Sequence, residues 1–147
     1  MVSTLKRIVA AGVLALALMG APATAQEAAH DPTLVINLTT DDVWTNQMAL
    51  GFAKGMHNDG HKVVVFLNVR AVSLASKKVP QHTAALSGKT PHEMIRDLSA
   101  EGVRVFVCPS CTKQAGLSFD DLIEGAEPGS PEYRQIVMAP GTRIMTY

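Results

Sequence analysis

Cysteine is almost missing from this 147-residue chain: there are two, Cys108 and Cys111, in one short stretch. A disulfide across so few residues closes little chain and stabilises weakly, so the fold has to rest on a hydrophobic core. Aromatic side chains make up only 5% of the residues, which argues against a base-stacking or carbohydrate-binding surface. An excess of one charge is missing too, with 13 basic against 13 acidic residues and no basic stripe, so nucleic acid is not an expected partner. Beyond the first 25 residues no apolar run is long enough to cross a bilayer. No internal repeat is visible.

What is present begins with a targeting pattern. Lys6 and Arg7 precede an apolar run over residues 8–20, and Ala23-Thr24-Ala25 forms an A-x-A site. Residues 1–25 are therefore expected to be a signal peptide. An uncleaved anchor is the alternative, but the run falls short of the roughly 20 apolar residues a span needs. The mature chain is expected to start at Gln26, to be periplasmic or secreted, and to leave the membrane after cleavage. Removing 25 of 147 residues leaves 122, and losing Lys6 and Arg7 leaves 11 basic against 13 acidic groups. That length suits one domain over residues 26–147.

The apolar pattern alternates between two kinds. "TLVINLT" (33–39), "HKVVVFLN" (61–68) and "VRVFVCP" (103–109) read as buried strands, and "TRIMTY" (142–147) as a last one. Between the first two, Trp44, Met48, Phe52 and Met56 recur about every four residues and predict a helix with that face inward. Thr40 or Asp41 is its expected cap. Residues 69–89 read as a long loop with one helical turn. "TPHEMIRDLSAEG" predicts a helix with Thr90 and Glu93 as a capping box, Pro91 at the first position, and Gly102 as the stop. A short helix capped by Ser118 is expected over 117–127, and strand-like or irregular chain over 135–139. Strands alternating with helices predict an α/β fold, a three-layer flavodoxin-like sandwich with a mainly parallel sheet. Ligands in such sheets bind beyond the carboxyl ends of the strands. The loops 39–44, 69–82 and 108–116 belong at that edge.

Cys108 and Cys111 therefore sit where the architecture places chemistry, and they are the expected catalytic pair. A thiolate is the reactive form of either. Trp44, Lys77, Lys78 and His82 are the candidate substrate-binding residues. Trp44 either roofs a pocket or packs, and Lys77, Lys78 and Arg70 either steer an anionic species or face solvent. Asp41 and Asp42 either serve the site or cap a helix. Copper(I) needs only two soft thiolates, so Cys108 and Cys111, with His82 as a third ligand, form the alternative metal set.

The segments "LVINLTTDDVWTNQMALGFA", "GHKVVVFLNVRAVSLA" and "GVRVFVCPSCTKQAGL" resemble the DsrE-like (DsrE/DsrF-type) sulfur-relay family. The resemblance implies a flavodoxin-like fold, homo- or hetero-oligomers (a homo-oligomer is expected for this chain), and a cysteine, eight residues before a glycine, that accepts sulfane sulfur as a persulfide. Cys108 and Gly116 match that spacing. Ala115 stands where sulfur-carrying relatives usually have arginine, Cys111 is an addition, and those relatives act in the cytoplasm. The expectation is a periplasmic sulfur-handling protein, a possible sulfurtransferase or carrier without a cofactor. Its partners would be small sulfur species or a sulfur-donor protein. A copper module, a general thiol–disulfide protein and a non-catalytic oligomeric subunit stay open.

Overall fold

A computed structural model describes residues 32–147, so the expected signal peptide lies outside the described residues. Five strands form one sheet: β1 (Leu34–Leu38), β2 (Val63–Leu67), β3 (Arg104–Val107), β4 (Ala126–Pro128) and β5 (Arg143–Thr146). Their order is β4-β3-β2-β1-β5, and every pairing is parallel. The strands are apolar along their length because both faces of a parallel sheet are covered. Ile36, Leu38, Val65, Leu67, Val105 and Val107 point to one side, where α1 (Val43–Asn58) and α2 (Pro91–Ala100) pack. Val35, Val64 and Phe106 point to the other, under α4 (Pro131–Met138), with Tyr133 stacked on Phe66 at 4.2 Å. This is the expected three-layer α/β sandwich.

Local signals explain most of these elements. Thr90 and Glu93 form the expected capping box, the Thr90 N–H donating to the Glu93 carboxylate at 2.7 Å. Asp42, one residue beyond the expected caps, closes α1 by accepting the Thr45 N–H at 2.8 Å. Residues Val69–Ala75 form a 3-10 helix inside the expected loop.

Three expectations are corrected. The face of α1 that packs inward carries Asn46, Gln47, Ala49, Leu50 and Ala53, whereas Trp44 is 78% exposed and Met48 and Phe52 are also on the surface. Helix α1 is apolar on more than one side, and small Ala49 and Ala53 permit a closer approach to the sheet than Trp44 and Phe52 would. The helix expected over 117–127 is reduced to a 3-10 turn, Phe119–Asp121, followed by β4. Gly125 at φ 88° turns the chain there, and a Cβ on it would lie 2.9 Å from Ser99 Cβ. Residues 131–138 are helical, begun by Pro131 and held by Tyr133 and Ile136, which are spaced for one helix face.

Phe106→Ala is expected to cost about 3–5 kcal/mol, because it empties the thin layer under α4. Thr90→Ala should cost only about 1 kcal/mol through the lost cap. Urea unfolding of both variants checks the ranking, and equal losses would contradict it.

Candidate functional site

The β2–β3 ladder runs one residue past β3, where the Cys108 N–H donates to Leu67 O at 2.9 Å. Pro109 then starts α3 (Pro109–Gln114), with Cys108 as its N-cap. The Cys108 sulfur accepts the Cys111 N–H at 3.3 Å, a position usually filled by a serine or aspartate oxygen. The buried Thr112 locks this turn, its N–H and hydroxyl both donating to Cys108 O, at 2.9 and 2.8 Å. The two cysteines are thus set by a short, closely hydrogen-bonded turn at the carboxyl edge of the sheet. Both are free thiols and half-buried.

The chain leaving β2 meets them from the side. Asn68 is anchored by its N–H to Leu38 O at 2.8 Å. Its Oδ1 accepts the Cys111 thiol at 3.1 Å and the Val69 N–H at 2.9 Å. The same Val69 N–H lies 3.3 Å from the Cys111 sulfur. Val69 holds φ at 49°, a left-handed conformation that is costly for a β-branched residue, and among the described residues it is the only non-glycine with positive φ. Burial pushes the Cys111 thiol up in pKa, and its interaction with Cys108 pushes it further, with the Val69 N–H opposing. Cys111 therefore keeps its proton to higher pH than an exposed cysteine.

Beside Cys111 opens a cavity of about 610 Å³, within the range of small-molecule sites. Val69, Val72, Ser73, Ser110, Gln114 and Ala115 line it together with Cys111, and its two charged groups are Asp41 and Arg70. Those two are paired, Arg70 Nη2 to Asp41 Oδ2, at 3.0 Å. The neighbouring aspartates have separate roles. Asp42 caps α1, and its bonds from Thr45 hold its carboxyl below the usual range. Asp41 faces the cavity. Cys108 is not part of that wall. Cys108 and Cys111 both pack against the main core cluster, and burial pushes the Tyr133 phenol up.

The other expected site residues are dispersed. Trp44 lines a separate groove with Met48 and Leu86. Lys77 Nζ donates to Asp120 O at 3.1 Å, and Lys78 pairs with Asp121 at 2.9 Å. The Ser118 N–H and then Lys78 lower the Asp121 carboxyl to about 2. His82 lies in a smaller cavity of about 220 Å³ with Asn46 and Gln81, sharing only the Asp41 and Ser73 wall with the larger one. Among the described residues no three His, Cys, Asp or Glu side chains cluster as a metal site, so the copper set with His82 is not assembled, and two sulfurs alone remain. Asn68 and Val69 had no sequence signal beyond their place after a strand. Arg70, read as one of three steering cations, is the one that reaches the cavity.

The DsrE/DsrF-like family model matches residues 34–146. No curated protein matches. Among solved structures, the ychN protein from E. coli superposes with a TM-score of 0.65 at 20% identity, over 80% of this chain and 100% of that one. A protein of unknown function, MTH1491 from Methanobacterium thermoautotrophicum, gives 0.62 at 18%, with the same two coverages. At such identities these two likenesses establish the fold, while the family match spans nearly all of the described chain. The chain belongs to the DsrE/DsrF-like family.

Proposed function

We propose that this protein accepts and passes on sulfane sulfur through Cys108 and Cys111 outside the cytoplasm. The family is linked with sulfur relay, and the observation that carries the reading to this chain is the cysteine turn itself. One sulfur accepts the other residue's N–H at 3.3 Å, and the second thiol opens on a cavity of about 610 Å³.

The roles follow from the two environments. Burial pushes the Cys111 thiol up and keeps its proton on, which leaves Cys108, whose sulfur accepts the Cys111 N–H, as the nucleophile. Its thiolate attacks the outer sulfur of a polysulfide, persulfide or thiosulfonate-type donor. A new S–S bond forms, the donor's S–S bond breaks, and the leaving group departs with the electron pair. Cys111 then attacks the Cys108 sulfur, forms the disulfide and releases hydrosulfide, which takes the Cys111 proton. The sulfane sulfur is reduced and the two thiols are oxidised, so the step balances without a cofactor. Alternatively the persulfide sulfur passes directly to an acceptor thiol.

Polysulfide should add about 32 Da per sulfur atom to the reduced protein. The adduct should vanish in Cys108→Ser and persist in Cys111→Ser, where nothing resolves it. The same intact-mass spectrum of exported protein should begin at Gln26. No adduct on any form would reject sulfur carriage. Stoichiometric copper in protein purified with its thiols intact would instead favour the two-sulfur metal reading.

The Cys111 thiol should react with iodoacetamide with a midpoint above the roughly 8.5 of a free cysteine, because its protonated form is favoured in the fold. Peptide-resolved alkylation from pH 6 to 11 checks this. A midpoint at or below 8.5 would reverse the assigned roles.

Self-assembly belongs to the same proposal. Trp44 at 78% and Leu86 at 84% exposure flank an apolar groove, and all four residues of the edge strand β5 are exposed. Sedimentation of the mature chain should show an oligomer that Trp44→Glu weakens. A monomer at micromolar concentration would reject it.

A further inference from the structure

The thiol cavity is lined by one cation and one anion, and they neutralise each other. The pair is a single contact, Arg70 Nη2 to Asp41 Oδ2, at 3.0 Å. The Arg70 side chain is 74% exposed, against 33% for Asp41. An exposed pair of this kind is held weakly. Among the described residues the guanidinium has no other side-chain partner, so most of its five N–H donors remain available.

The base of Arg70 is fixed while its head is loose. Its N–H donates to Thr39 O at 3.1 Å. The preceding Val69, in its strained conformation, aims its own N–H at the Cys111 sulfur, 3.3 Å away. One residue therefore separates a bond to the thiol that lines the cavity from the cation. Lys77 and Lys78, the next cations toward the C-terminus, are committed to the Asp120 carbonyl and Asp121.

We propose that Arg70 receives the anionic end of a ligand entering the thiol cavity and that Asp41 is its built-in competitor, so that the pair sets the charge selectivity of the site. A planar fork of donors suits the oxygens of a sulfonate-type group better than a lysine would. Combined with the sulfur-carrying reading above, on which this part rests, the donor is a sulfane sulfur bonded to such a group. Attack on the sulfane sulfur by the Cys108 thiolate, whose sulfur accepts the N–H of the cavity-lining Cys111 at 3.3 Å, forms the protein persulfide and breaks the bond to the sulfonate sulfur. Sulfite leaves with the electron pair while Arg70 holds its oxygens. No outside oxidant or reductant enters. Asp41 repels the dianion and reclaims Arg70 once sulfite departs.

The test compares iodoacetate with iodoacetamide at Cys111 in the reduced full chain, by peptide mass. The two reagents differ chiefly in charge, so their rate ratio cancels the thiolate fraction and the general access to the sulfur. Arg70→Gln should lower the iodoacetate-to-iodoacetamide ratio about fivefold, and Asp41→Asn should raise it by about as much, the effect of one unit charge a few ångströms away through water. Asp41→Asn keeps the backbone carbonyl that accepts the Asn46 amide at 3.3 Å, so the start of α1 is preserved. Ratios that stay within about twofold of wild type, or move the same way in both variants, overturn the proposal. A parallel arm measures sulfur loading from thiosulfate and from uncharged dimethyl trisulfide. If the ratios move as stated but neither donor loads sulfur, the anion receptor stands and sulfur carriage falls. If the wild type loads sulfur and the ratios do not move, sulfur carriage stands and the role of Arg70 falls.

Discussion

The hydrogen bond from the Cys108 N–H to Leu67 O at 2.9 Å fixes the position of everything else at the site. It extends the parallel register of β3 on β2 by one residue beyond the strand. Side chains alternate along a strand, so a slip of one residue would turn Cys108 toward the opposite layer. The matching bond from Asn68 N–H to Leu38 O, at 2.8 Å, carries β2 past its end in the same way. Together they bring three chain exits to one edge. These are the segment with Asp41 after β1, Asn68 to Arg70 after β2, and the cysteine turn after β3. The core under Ile36, Leu67 and Val107 therefore acts on function by holding register, although none of these residues lines the cavity.

Within that frame the charges are sorted by local pairing. Lys78 is held by Asp121, and Asp42 by the first turn of α1. What remains at the cavity is Arg70 with Asp41, beside a thiol whose own ionisation is discouraged by burial. Such a site does not attract ligands by a large field. In the proposed role of Arg70 it selects by what can displace one weak ion pair, which makes the exchange local and sensitive to salt. The division of labour between the thiols has the same origin. Cys108 accepts an N–H and Cys111 is desolvated, and three residues of sequence are enough to make two cysteines chemically unequal.

The sequence was most legible where the signal is local. The capping box of Thr90 and Glu93, the three apolar runs of β1 to β3, and the placement of the cysteines after a core strand all stand in the structure. The inward face of α1 was misread because periodicity finds an apolar stripe without saying which of two stripes packs. The choice went to Ala49, Leu50 and Ala53, small enough for the helix to lie close to the sheet. Strand β4 has three residues and is defined only by its pairing with β3, a non-local contact with no composition of its own. The Asp41–Arg70 pair spans 29 positions and joins two loops, so spacing cannot reveal it. Trp44, Lys77, Lys78 and His82 were plausible by residue type, yet each is turned to another groove or partner.

A cycle that ends in a Cys108–Cys111 disulfide needs electrons to begin again. The ring it closes is small, so forming it stabilises the fold little and breaking it costs the fold little. The thiols' own surroundings decide the balance. Oxidation abolishes the Cys111 thiol's hydrogen bond to Asn68 Oδ1 and leaves that half-buried oxygen with only the Val69 N–H. That favours the reduced form slightly. The proposed exported location opposes it, since thiols outside the cytoplasm meet oxidants. Sustained turnover by the resolving route therefore requires a dithiol reductant in the same compartment. Direct transfer of the persulfide sulfur to an acceptor thiol requires none, and regenerates both thiols in the same step.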